Sequence, residues 1–137
     1  MTEKELKGKT KVVAISVAKL CQKLPSNKIN NTYIDQVLRS SASLGANYRA
    51  ACTAKSTKDF IYKLQVVEEE TDETMFFLEL LAEFNEKQKP EMRAVYKETE
   101  IVLKIIVASI KTSQNRLNTE ALRQSKIKNL KSKKDEQ

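Results

Sequence analysis

Phe60, Leu64, Val67, Thr71, Thr74, Leu78 and Leu81 follow one another at intervals of four and three without a break. Side chains so spaced share one face of an α-helix, whereas a strand would scatter them over both of its faces. Ser56, three residues before Asp59, is a capping-box-like entry to this helix, the third in the chain. The same spacing recurs on both sides of it. Val13, Val17, Leu20 and Leu24 line a first helix from about Lys4 to Leu24 that Pro25 does not continue. After a loop over Pro25 to Asn31, Thr32 with Asp35 three residues later predicts the start of helix 2. Its inner face is Ile34, Val37, Leu38, Ser41, Leu44, Gly45, Tyr48 and Cys52. Beyond the polar break Asn85 to Lys89, Pro90 suits the first turn of helix 4, where its missing N–H costs nothing. That helix runs on Met92, Val95, Thr99, Val102, Ile106, Ile110, Ser113 and Leu117.

Only two Gly and two Pro punctuate the 137 residues, which favours a few long helices over many short strands. Four amphipathic helices with short connections bury their stripes in an all-α, antiparallel up-down-up-down four-helix bundle. Residues 1–117 are expected to form this single domain. Residues 118–137 keep only Leu122, Ile127 and Leu130 as large apolar side chains, and read as a basic C-terminal tail, either a helical extension or disordered. Helix 2 is unusual in its run of small residues, Ser40 to Ser43 with Gly45 and Ala46. The run lets a neighbouring helix backbone come close and accounts for a glycine in mid-helix. On helix 3, Tyr62, Met75, Phe76 and Phe77 exceed what one inner stripe can bury, so some of this surface is expected to meet another subunit.

The apolar run Ile101 to Ile110 is broken by Lys104 and falls short of the roughly 20 residues of a membrane span. The first 17 residues mix Lys with Glu and carry no secretory pattern, so a cytoplasmic location is expected. Cys21 and Cys52 lack CxxC spacing and suit reduced, packed thiols.

Charge is divided sharply along the chain. Residues 1–24 carry a net +4, 25–58 +4, 59–87 −7, 88–117 +3 and 118–137 +3. Helix 3 is the acidic element of a basic protein. Its cluster Glu68, Glu69, Glu70, Asp72 and Glu73 lies off the inward stripe, and the chain has no His. The Glu-x-x-His pairs of a di-iron bundle are therefore absent, and a solvated face, or one pairing with basic neighbours, is the better reading. Without His to activate Ser or Cys, and without a glycine-rich phosphate loop, no catalytic, metal or cofactor site is expected, and no small-molecule substrate is evident. The basic surplus instead suits a polyanion, RNA or DNA, because each Lys or Arg at a phosphate releases counterions. Arg39 and Arg49, which bracket the small-residue run and can grip phosphate bidentately, are the first candidates, with Lys55 and Lys58 just beyond them. The alternative is a protein-interaction scaffold or adaptor that binds no nucleic acid and docks a partner through the acidic helix 3 or an exposed apolar face.

The stretch Arg39-Ser40-Ser41-Ala42-Ser43-Leu44-Gly45-Ala46-Asn47-Tyr48-Arg49-Ala50, followed by Ser56-Thr57-Lys58-Asp59-Phe60-Ile61-Tyr62-Lys63-Leu64 and then Glu69, Glu73, Thr74, Phe77, Leu78 and Leu81, resembles a bacterial family. These are the four-helix-bundle proteins of intervening sequences in 23S rRNA genes. The likeness covers helices 2 and 3 closely and helices 1 and 4 by pattern. It implies an up-down bundle that assembles into a ring-shaped homopentamer, with no known catalysis. A related branch, the accessory variability determinants of diversity-generating retroelements, binds nucleic acid and a reverse transcriptase through a basic surface. By the resemblance Arg39, Ser43, Asn47, Phe60 and Glu73 belong to the shared signature. Many relatives carry Glu directly after the position of Arg49, where this chain has Ala50, so any role of that carboxylate is lost here.

Overall fold

Thr2, Asn27 and Ser56 each turn a side-chain oxygen onto a backbone N–H three residues ahead, at 3.1, 2.8 and 3.1 Å. Each thereby satisfies one of the donors that a helix start leaves open. They open α1 (Glu3–Cys21), α2 (Lys28–Cys52) and α3 (Thr57–Phe84) of the computed structural model, which describes residues 1–135. A single 3-10 turn, Glu86–Gln88, joins α3 to α4 (Lys89–Asp135), and Pro90 occupies the first turn of α4. No described residue lies in a strand. α1 packs on α2, α2 on α3, α3 on α4, and α1 on α4, so the up-down-up-down order closes on itself around one core.

That core holds the expected stripes. Val13, Val17 and Leu20 from α1 are buried, and so is Leu24, which lies beyond the end of α1 at Cys21 and not inside the helix as expected. Leu64, Val67, Leu78 and Leu81 from α3 and Met92, Val95, Val102, Ile106 and Ile110 from α4 are buried with them. Each such side chain contributes about 1.5–3 kcal/mol when fully withdrawn from water. Polar residues on the stripes are accommodated by their own helices. Thr71, Thr74 and Thr99 place Oγ1 at 2.6, 2.8 and 2.8 Å from the carbonyl oxygen four residues back. Thr74 Oγ1 also lies 2.9 Å from Ser40 Oγ, tying α3 to the small-residue face of α2.

Four further expectations are corrected. Helix 2 begins at Lys28 with Asn27 as its cap, so Thr32 lies inside the helix and its hydroxyl donates to the Lys28 carbonyl at 2.8 Å. The inner face of α2 is Val37, Ser40, Ser41, Leu44, Tyr48 and Ala51, and Leu38 points outward. The nearest atoms to a Cβ added at Gly45 would be the backbone oxygen and Oγ1 of Thr10, at 3.7 Å. That is ordinary contact, so the approach of α1 to α2 is not close enough to require glycine. Of the four side chains counted as surplus on helix 3, Met75 is buried and Phe77 packs against the core, which leaves Tyr62 and Phe76 outside.

From residue 118 every described residue is exposed, yet α4 continues as one helix to Asp135, 47 residues in all, or about 70 Å at 1.5 Å per residue. Residues 136 and 137 of the tail lie outside the described residues. Among the described residues no helix is long and apolar enough to cross a membrane, and no group of three or more His, Cys, Asp or Glu could hold a metal ion.

Candidate nucleic-acid interface

The small residues of α2 form the floor of a surface groove of about 370 Å³ where α1 crosses α2. Ala14, Ala42, Gly45 and Ala46 present no long side chain, so the groove is open to an object lying against the helix backbones. Its rim is cationic: Lys7 and Lys11, one turn apart on α1, face Arg49 on α2. Lys7 Nζ contacts Glu3 at 3.1 Å, whereas Lys11 and Arg49 make no ion pair among the described residues. Both side chains are exposed and open to a ligand from solvent.

Lys55 and Lys58 stand at the same end of the bundle, in the turn from α2 to α3. The backbone N–H of Lys55 donates to Asp59 Oδ2 at 3.3 Å and its side chain is exposed. Lys58, the second residue of α3, is likewise exposed. Asp59 is held below the usual carboxylate range by Lys63 Nζ and then by that Lys55 N–H. Arg116 of α4 lines a hollow at this end together with Lys55, Tyr48, Cys52 and Phe60. Arg49, Lys55 and Lys58 are therefore gathered at one end.

Arg39 is not with them. It lies ten residues before Arg49 on α2, about 15 Å along the axis, and faces α3. Nη1 meets Glu70 Oε2 at 3.2 Å, and Nη2 meets Glu73. Glu73 chiefly, then Glu70, favours the charged guanidinium. Here the acidic helix pairs with a basic neighbour, one of the two readings its charge allowed. The other residues of the suspected signature have comparable structural partners. Asn47 Nδ2 donates to the Ser43 carbonyl at 2.8 Å and lies 2.9 Å from Ser43 Oγ, and Phe60 packs against the core.

Lys7, Lys11 and Arg116 were not singled out from the sequence. The i, i+4 spacing of Lys7 and Lys11 puts both on one face of helix 1, but that they face Arg49 depends on which helices are neighbours. Arg116 sits at the last turn of the bundle-forming part of α4, a position visible only once the helices are assembled.

The profile of the family described as 23S rRNA-intervening sequence protein matches residues 3–108. A solved structure from Bacteroides thetaiotaomicron, a protein of unknown function from the S23 ribosomal protein family, superposes with a TM-score of 0.70 at 30% identity. The match covers 81% of this chain and 99% of that one. No curated protein matches the chain. Profile and superposition agree with the bundle described above, and the chain belongs to the 23S rRNA-intervening sequence protein family.

Proposed function

We propose that the protein is a non-catalytic, cytoplasmic, oligomeric bundle that binds structured nucleic acid at the end of the bundle where Arg49, Lys55 and Lys58 gather. The observation that carries this reading is the groove between α1 and α2, with Lys7, Lys11 and Arg49 around a floor of alanine and glycine. A phosphate backbone needs cations at the rim and room to approach, and this groove supplies both. The family takes its name from intervening sequences of 23S rRNA, which puts RNA first among the polyanions to try. Assembly into a homopentamer, implied by the resemblance, would repeat the basic end around a ring and multiply a weak contact. Exposed Val12, Ile15, Ile101 and Tyr62 supply apolar surface for such assembly.

Filter binding of the full chain to an RNA hairpin and to duplex DNA at stepped salt tests the reading. Retention that falls linearly in log–log with salt is expected. No retention at low salt, or a flat response, overturns it in favour of a protein adaptor. Light scattering after size exclusion gives the subunit number.

A further inference from the structure

The C-terminal turns of α4 and the outer face of α3 carry opposite charge. Past Leu117 the helix leaves its own bundle: Ser113 and Arg116 still line the hollow against the α2–α3 turn, and every described residue from 118 onward is exposed. Within this extension Leu122, Lys126, Ile127, Leu130, Lys133 and Lys134 fall within an arc of about 140° at 100° per residue. The two acids, Glu120 and Asp135, fall outside that arc. Leu122, Ile127 and Leu130 are 43–68% exposed, an aliphatic edge that phosphate binding does not call for. The matched family residues stop at 108, so this surface lies beyond them.

On α3, Tyr62, Glu69, Asp72, Phe76 and Glu83 advance by seven, three, four and seven residues, which makes a single stripe along the side of the helix away from the core. Tyr62 and Phe76 are 65% and 52% exposed. Glu69, Asp72 and Glu83 make no ion pair among the described residues. The stripe is acidic and aromatic where the extension is basic and aliphatic. It is about 32 Å long, and the patterned part of the extension, Leu122 to Lys134, is about 18 Å, so one lies within the length of the other. The extension cannot reach the stripe of its own chain while α4 remains one helix, because α4 runs antiparallel to α3 and passes its beginning before residue 118.

We propose that the extension of α4, residues 118–135, docks along the outer stripe of α3 in a second copy of this chain. Leu122, Ile127 and Leu130 would lie against Tyr62 and Phe76, flanked by pairs of Lys126, Lys133 and Lys134 with Glu69, Asp72 and Glu83. Such a contact is heterologous, one surface of a copy against a different surface of the next, and it generates a ring or a chain of subunits. It assigns the acidic helix and the extension to assembly and leaves the Arg49 end free for another ligand.

The full-length protein, freed of nucleic acid, is mixed from natural-abundance and 15N-labelled batches and treated with a zero-length carbodiimide cross-linker. Mixed-isotope peptides joining Lys126, Lys133 or Lys134 to Glu69, Asp72 or Glu83 are the expected result. Amide exchange over residues 118–135 should be at least about tenfold slower than in dilute protein. The variant K126E/K133E should lose both signals, and mixing it with E69K/D72K should restore the mixed-isotope cross-links, an outcome that misfolding cannot produce. An extension that cross-links to no second copy overturns the proposal. So does one whose amides become protected only when RNA is added, which would assign the extension to nucleic acid instead. Because the readout is taken without nucleic acid, it stands or falls separately from RNA binding at Arg49.

Discussion

Asn30 at the start of α2 and Asn85 at the end of α3 exchange two side-chain hydrogen bonds, at 2.9 and 2.8 Å, inside the protein. Their second amide protons go to the carbonyl oxygens of Pro25 and Leu81, at 2.9 and 2.8 Å. The two amides thus pin the connection before α2 and the last turn of α3 to each other, and among the described residues no buried side-chain nitrogen or oxygen is left unpartnered. Replacing either one alone by Ala orphans the other in a dry site, at a cost of about 1–3 kcal/mol. The double replacement is expected to cost less than the sum of the singles, because it removes donor and acceptor together. Denaturant melts of the two singles and the double measure this, and strict additivity would show that the amides act independently.

Gly45 makes the opposite prediction. The Cβ of an alanine there would sit in ordinary contact with Thr10, at 3.7 Å, while the helix would gain about 0.5–1 kcal/mol from the stiffer residue. Gly45→Ala should therefore raise the melting temperature. Gly45→Leu should lower it, since the longer side chain would have to displace α1. A destabilised alanine variant would show that α1 and α2 lie closer than the structure places them.

Which parts of this architecture can be read from the chain follows from how local their causes are. The stripe from Phe60 to Leu81 and the Ser56 cap are written within a few residues of where they act, and both stand in the structure as expected. The start of α2 was misplaced because Thr32 and Asp35 imitate a capping box. The true cap, Asn27, is followed three residues later by Asn30, which carries no such signal and instead answers Asn85, 55 residues away. The site divides in the same way. Arg49, Lys55 and Lys58 were visible as cations near one turn, but their companions Lys7 and Lys11 come from another helix. Arg39, equally prominent in sequence, is drawn to α3 by Glu70 and Glu73 on the facing helix.

Alkali should unfold the bundle through its buried acids. Burial pushes the Cys21 thiol up from 9.0 to about 11. Burial, reinforced by Cys52 and Glu3, raises the Tyr48 phenol as well. Both groups keep their protons in the folded state after the unfolded chain has begun to release them. The share from Cys21 is complete below about pH 9 and is lost as pH rises towards about 11, while the share from Tyr48 starts to fall only near pH 10, because each loss begins at the pKa of the unfolded chain. Thermal melts from pH 7.5 upward should be level at first and then fall. The Cys21→Ala variant should fall less steeply, which separates its share from the titration of surface lysines. A wild-type melting temperature unchanged up to about pH 11 would contradict the buried-thiol account.

Arg39, Arg49, Lys55 and Lys58, together with Lys11 of the groove, should separate into two classes when tested on RNA. Arg49 and Lys11 face the groove without an ion pair among the described residues. Removing either one should take away a phosphate contact and lower the salt slope of binding by about 0.7 to 0.9. Arg39 is already matched by two carboxylates, so a phosphate would have to displace Glu70 and Glu73 to reach it. Arg39→Ala should leave the slope unchanged. Its effect on stability should be small, because the guanidinium is open to solvent and solvent screening weakens such a pair. Lys55→Ala and Lys58→Ala should resemble Arg49→Ala if the bound backbone continues from the groove around the α2–α3 turn. A loss of slope in Arg39→Ala as large as in Arg49→Ala would move the interface to the α2–α3 face. The small-residue groove would then have to be read as helix packing alone.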